Sequence, residues 1–187
     1  MSLELWIGPM FSGKTTQLIQ AYKKYTFIGK NVCVINYTAD TRYHDTMLSS
    51  HDKIMIPCIQ TMSLSDFGIV ETMLEADVIL INEGQFFNDL YNIVLNLVDK
   101  HKKIVGICAL DGDFLRQRFG RVLDLIPHCD KITKLRALCS ICRDGKEAIF
   151  SHRITHESEQ VVIGSDNYMP LCRECYMKKA IYLADVK

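Results

Sequence analysis

The chain has 187 residues, 48% of them apolar and 24% charged, with 22 basic residues against 22 acidic ones and no formal net charge. That is a globular composition long enough to bury a core, as one medium domain or one domain with a small appendage. A dedicated nucleic-acid binder would show a basic excess, so the charge balance counts against that class. Nothing at the start reads as a signal peptide, because Met1 to Ile7 is short and runs at once into Gly8-Pro9, and no apolar run approaches bilayer length. Eight cysteines without a secretory signal favour metal binding or buried thiols over disulfides. The expected setting is reducing and cytoplasmic, with neither nucleic acid nor membrane as partner.

Leu3 to Ile7 is a short apolar run ending at a glycine and predicts a buried strand. Lys14 to Tyr25 turns helical, with Leu18, Ile19 and Tyr22 on one face, and Asn31 to Asn36 predicts a second strand. Leu64 to Leu74 reads as a helix capped by Ser63. Val78 to Asn82 is a fully apolar strand, Asn88 to Lys100 a helix, and Lys103 to Ala109 a fourth strand. Lys23-Lys24 and Lys100 to Lys103 read as solvated helix ends. Apolar strands alternating with helices predict an α/β fold, a parallel sheet covered on both faces, over residues 1–135. Residues 136–180 differ: four cysteines in two pairs, short extended stretches and little helical periodicity predict a small metal-bound subdomain. Residues 181–187 have no evident partner and are expected to form a disordered tail.

Gly8, Pro9, Met10, Phe11, Ser12, Gly13, Lys14 and Thr15 match G-x-x-x-x-G-K-[ST] in full, between a predicted strand and a predicted helix. The glycines let successive N–H groups face the β-phosphate of a nucleotide, Lys14 reaches the β- and γ-phosphates, and the Thr15 hydroxyl suits magnesium. The next apolar strand delivers Asn82, Glu83 and Gln85 to the carboxyl edge of the sheet, where ligands bind. A third strand end carries Leu110 to Gly120. There Phe114 and Phe119 either wall a slot for a flat base or belong to the core. Arg116 and Arg118 either face the phosphates or are solvated.

Cys139-x-x-Cys142 and Cys172-x-x-Cys175 are two knuckles able to complete a tetrahedral structural zinc site. The intervening 143–171 is longer than a zinc ribbon needs and predicts a lid or lasso anchored at both ends. Cys33 and Cys108 fall inside strands as core residues, whereas Cys58 and Cys129 are isolated. His152 and His156 show no ligand role.

GPMFSGKT at 8–15, DTRY at 40–43, EGQFF at 83–87, ALDG at 109–112 and the two CxxC pairs, in unbroken order from Leu3 to about Lys179, resemble the type II thymidine kinases. These are the cytosolic, bacterial and large-virus class. The resemblance implies a P-loop (RecA-like) domain with a zinc subdomain whose lasso loop closes over the nucleoside. It implies phosphoryl transfer from ATP with magnesium to thymidine, and to deoxyuridine, giving dTMP in pyrimidine salvage for DNA synthesis. Glu83 would be the general base, and Asp40, Arg42, Asn82 and Gln85 would lie near the phosphates. Met10, Phe86, Leu110, Phe114 and Phe119 would enclose the thymine. Gln160, Val161, Val162, Ile163 and Gly164 would read the pyrimidine edge with backbone groups, beside Ser151 and Tyr168. A homotetramer and feedback inhibition by dTTP are implied too. One position departs: the family's usual Asp before the catalytic Glu is Asn82 here. An amide oxygen still accepts from a magnesium-bound water but brings no charge, so weaker magnesium binding is expected. Two rivals remain at this stage, a DNA-dependent ATPase with a zinc knuckle and a catalytically silent nucleotide-binding regulator.

Overall fold

The structure, a computed structural model, describes residues 1–37, 47–50, 52–162 and 164–184. The chain opens with β1 (Ser2–Ile7), α1 (Lys14–Phe27) and β2 (Val32–Tyr37). A small hairpin of β3 (Met47–Ser49) and β4 (Met55–Pro57) leads to β5 (Ile59–Thr61), α2 (Phe67–Glu75) and β6 (Val78–Ile81). Next come α3 (Leu90–Leu95), widened into a π-helical turn over Asn96–Lys100, then β7 (Ile104–Ala109) and β8 (Lys131–Lys134). Six of these strands form one sheet in the order β5-β2-β6-β7-β1-β8, with every pairing parallel.

The two-residue period of a strand distributes the apolar runs between two cores. Leu3, Leu5 and Ile7 of β1 join Met73 of α2 and Leu90 and Val94 of α3 on one face. Trp6 points the other way, to Leu18 and Ile19 of α1 and to Leu48 and Ile56 of the hairpin. All four residues of β6 are buried, as a strand covered on both sides requires. The sheet is therefore an α/β core with helices on both faces. Beyond Lys134 the chain builds two small antiparallel ribbons, β9 (Ala137–Leu138) with β10 (Glu147–Ala148) and β11 (Phe150–Arg153) with β12 (Tyr168–Leu171), followed by α4 (Arg173–Ala184). They share a separate core of Ala137, Ala148, Leu171 and Tyr176 around the four paired cysteines.

Several expectations change. The helix expected from Leu64 starts at Phe67, after Asp66. The Ser63 hydroxyl instead donates to Asp89 Oδ2 at 2.7 Å, and Leu64 is buried from a turn. The helix expected over 88–100 is regular only to Leu95, after which His101 N–H reaches back five residues to the Asn96 carbonyl. Two sheet strands lacked an apolar signature, β5 because it is three residues long and β8 because it is a largely exposed, polar edge. Helix α4 occupies a stretch that showed little periodicity and runs to Ala184, so the segment expected as a tail from 181 begins as helix. Among the described residues, no helix is long and apolar enough to cross a membrane.

Gly106 in β7 is a packing requirement. A Cβ there would lie 2.7 Å from the Trp6 ring and 2.9 Å from Leu80. Gly106→Ala should therefore cost roughly 1–3 kcal/mol by overpacking, read as a lower denaturant midpoint at unchanged slope.

Candidate active site

Three neighbouring strands, β6, β7 and β1, end at one edge of the sheet, and each end continues into a motif singled out in the sequence. From β1 the chain turns at Gly8, where a Cβ would sit 2.5 Å from the Leu135 carbonyl, so only glycine allows this approach. Phe11 (φ 63°) and Gly13 (φ 80°) take left-handed backbone as the loop curls into α1. Ser12 Oγ donates to the Pro9 carbonyl at 2.8 Å, and Lys14 Nζ donates to the same carbonyl at 2.7 Å. Lys14 is buried, and desolvation pulls its pKa below the ordinary value, opposed chiefly by the Glu83 charge. A desolvated ammonium at a helix N-terminus attracts anions strongly.

At the end of β6, Glu83 adopts φ 55°, ψ 42°, a strained conformation for a non-glycine residue and one concentrated at functional sites. Gln85 holds its carboxylate: Nε2 donates to Glu83 Oε2 at 2.5 Å, while Oε1 accepts from Leu110 N–H at 3.0 Å. Asn82 is 2% exposed, and its Nδ2 donates to Asn36 Oδ1 at 2.8 Å. Among the described residues its Oδ1 has no partner. A buried acceptor in that state suits a donor brought in by a ligand, such as a metal-bound water.

Between these loops lies a cleft of about 400 Å³. It is lined by Met10 to Thr15 of the phosphate loop, by Asn82, Glu83, Gln85 and Phe86, and by Leu110, Phe114 and Phe119. Ser151, Gln160, Val161, Val162, Gly164 and Tyr168 close its far side. Gly8 and Pro9 shape the loop from behind without lining the cleft. Asp40, Arg42 and Ile163 lie outside the described residues. Phe86 stacks on Tyr37 at 5.0 Å and meets Phe119 edge-on at 5.3 Å, so these aromatics form a wall. The loop after β11 is tied down by Gln160, whose Nε2 donates to Asp113 Oδ2 at 2.7 Å and to the Arg118 carbonyl at 3.0 Å. Ser151 Oγ accepts from Met10 N–H at 2.9 Å and joins this subdomain directly to the phosphate loop.

The thiols of Cys139, Cys142, Cys172 and Cys175 lie within 4.8 Å of one another. Cys142 is 3.8 Å from Cys172 and 3.4 Å from Cys175, close to the edge of about 3.8 Å that Zn–S bonds of about 2.3 Å give a tetrahedron. Burial would raise the Cys139 thiol, but N–H groups of Cys142, Cys172 and Ile141 outweigh it and lower its pKa, whereas Cys142 and Cys175, hydrogen-bonded among the other thiols, are raised. The cluster fits a structural zinc.

Neither Arg116 nor Arg118 lines the cleft. Arg116 lies over the rings of Tyr176, at 4.9 Å, and Phe150, at 5.6 Å, while Arg118 pairs with Asp124. Cys33 and Cys108 are buried in strands, and His152 packs edge-on against Tyr176. Sequence reasoning missed Asn36, Tyr37, Asp113 and Arg153. The first two close a strand that ends beside β6, a position that could have flagged them. Asp113 stood in plain view two residues after Asp111.

A family profile described as thymidine kinase matches residues 1–176. Thymidine kinase a of Arabidopsis thaliana is 40% identical over 95% of this chain and 75% of that protein. The thymidine kinase of Sheeppox virus is 41% identical over 93% of this chain and 96% of that protein, and thymidine kinase 1 of Dictyostelium discoideum is 40% identical over 93% and 77%. A crystal structure of a DNA replication initiation factor superposes with a TM-score of 0.44 at 14% identity, over 72% of this chain and 40% of that one, too distant a likeness to add weight. With its phosphate loop, Glu83 and paired cysteines in this arrangement, and relatives in plants, poxviruses and Dictyostelium at this identity, the chain belongs to the thymidine kinase family, in its type II class.

Proposed function

We propose that the protein transfers the γ-phosphate of ATP to the 5′-hydroxyl of thymidine, and of deoxyuridine, giving dTMP and ADP. The observation that carries this reading is the convergence of Lys14, Glu83 and the loop after β11 on one cleft. The 5′-oxygen attacks the γ-phosphorus, the bond to the β,γ-bridging oxygen breaks with its electron pair leaving on ADP, and the hydroxyl proton passes to the Glu83 carboxylate. Lys14 and the N–H groups of 8–15 hold the phosphates in line, since this chemistry is mostly positioning and charge stabilisation. Magnesium would neutralise charge on the β- and γ-phosphates, held by the Thr15 hydroxyl, with Asn82 Oδ1 accepting from one of its waters. Asp40 and Arg42 belong to the same phosphate group by the family resemblance. Gln85 acts here by holding Glu83.

Met10, Phe86, Leu110, Phe114 and Phe119 enclose the thymine ring, and Ser151, Tyr168 and the main chain of Gln160, Val161, Val162 and Gly164 meet its polar edge, with Ile163 added by the family resemblance. Buried backbone groups left unpaired by the wrong base account for pyrimidine selection. We place the division of labour at residues 1–135 for the nucleotide domain and 136–180 for the zinc-held subdomain. Feedback by dTTP in the same cleft, a homotetramer and a cytoplasmic place in pyrimidine salvage follow the type II resemblance.

Incubated with ATP, magnesium and thymidine, the purified protein should form dTMP and should leave deoxycytidine far behind. Glu83→Ala should cut kcat by about 10²–10⁴-fold, and Asn82→Asp should lower the magnesium concentration needed for half-maximal turnover. ATP binding without any dTMP would instead favour the silent regulator, a reading that Asn82 alone supports.

Elemental analysis should find one zinc per chain. Cys142→Ser should lose it together with thymidine affinity, whereas full metal retention would contradict the four-thiol site.

A further inference from the structure

Arg153, the last residue of β11, is 4% exposed and forms no ion pair among the described residues. Burying an unpaired cation is costly, and such residues survive where most of their donors are used and the structure depends on them. Four hydrogen bonds use both Nη atoms, while Nε has no partner among the described residues. Nη1 donates to the carbonyls of Glu157, at 2.9 Å, and Glu159, at 2.5 Å. Nη2 donates to the Gln160 carbonyl at 3.0 Å and to the Tyr168 hydroxyl at 2.6 Å. The guanidinium plane also stacks 3.7 Å from the centre of the Phe114 ring.

Each contact falls on something the cleft needs. Residues 154–162 have no sheet or helix to satisfy their backbone, so Arg153 supplies the donors that a ladder would otherwise provide. Fixing the carbonyls of Glu157, Glu159 and Gln160 from inside sets the course of the chain into Val161 and Val162, which line the cleft. The Tyr168 hydroxyl passes the restraint on by donating to the Val162 carbonyl at 3.0 Å. Phe114 is held from two sides, its ring by Arg153 and its carbonyl by the Tyr176 hydroxyl at 2.6 Å.

We infer that Arg153 is a positioning residue for nucleoside recognition: it locks the loop 157–162 and the Phe114 wall into one closed pocket, and so sets thymidine affinity without taking part in phosphoryl transfer. The inference rests on the thymidine kinase reading above and extends it to a residue outside the family motifs. Lysine cannot replace it, because a point ammonium with three donors neither forks to four acceptors nor stacks as a plane.

Three variants test this, Arg153→Lys, Tyr168→Phe and Arg153→Lys with Phe114→Leu, each assayed for initial rates over thymidine and ATP concentrations and for protease cleavage within 154–162. Arg153→Lys should raise the thymidine KM by about ten- to a hundredfold, the scale of lost hydrogen bonds to a charged group. Its kcat at saturating thymidine should stay within about threefold and its ATP KM unchanged, the pattern of lost uniform binding. Cleavage of the loop should accelerate in the free enzyme. Tyr168→Phe should shift the thymidine KM in the same direction by less, and adding Phe114→Leu to Arg153→Lys should raise it further only by the base contact that the Phe114 ring itself makes. An Arg153→Lys enzyme with the parent's thymidine KM and loop cleavage overturns the inference. So does one that loses kcat and ATP affinity together, or one that fails to fold while Tyr168→Phe matches the parent. A parent that phosphorylates no thymidine would sink the kinase reading, whereas loop cleavage still reports on Arg153.

Discussion

The site depends on one bridge: Gln85 takes the Leu110 N–H on its amide oxygen and gives its amide N–H to the Glu83 carboxylate. It joins the end of β6 to the end of β7 and fixes a carboxylate that sits on strained, left-handed backbone. Strain of that kind, about 1–3 kcal/mol, persists only where neighbours over-determine it. The neighbours are visible. At Gly84 a Cβ would meet Ile107 at 2.7 Å, and at Gly120 (φ 60°) a Cβ would fall 2.3 Å from the Gln85 carbonyl. Two glycines therefore let the β6 turn nest against β7 and the 110–120 loop, and the bridge follows from that nesting.

From this point the rest of the cleft is assembled outward. The phosphate loop brings a buried Lys14 whose lowered pKa traces first to desolvation and whose charge Glu83 supports. The small subdomain reaches the same place through Ser151 on Met10 N–H, Gln160 on Asp113, and Tyr176 on the Phe114 carbonyl. Tyr176 follows Cys175 directly, so one covalent step and one hydrogen bond connect the thiol cluster to Phe114 of the cleft wall. An ion at the cysteines would stiffen the same ribbons from which the loop lining the cleft hangs.

What could be read in the sequence was local. The phosphate loop, the four apolar strands and the paired cysteines each carry their signal within a few residues, because φ > 0 turns, double-sided burial and chelation all constrain near neighbours. Strands β5 and β8 carry no such signal, since a three-residue strand and a polar edge look like loop. Long-range partners were equally hidden. Nothing near Arg153 announces that it will stack on Phe114, and nothing near Arg116 foretells the rings of Phe150 and Tyr176. Ser63 reads as a cap from its neighbours alone, and Asp89 claims it only after the fold closes. The motif residues Asp40 and Arg42 rest on resemblance, because they lie outside the described residues.

The central claim is that held geometry at Glu83, more than its basicity, makes this cleft a phosphoryl-transfer site. Replacing Gln85 with Met keeps bulk while removing both hydrogen bonds, and the decisive measurement is the steady-state kcat and thymidine KM of that variant beside the parent. The account predicts a kcat about a hundredfold lower, the scale of a misplaced catalytic group, with the thymidine KM nearly unchanged. An undiminished kcat in a folded Gln85→Met enzyme would contradict it.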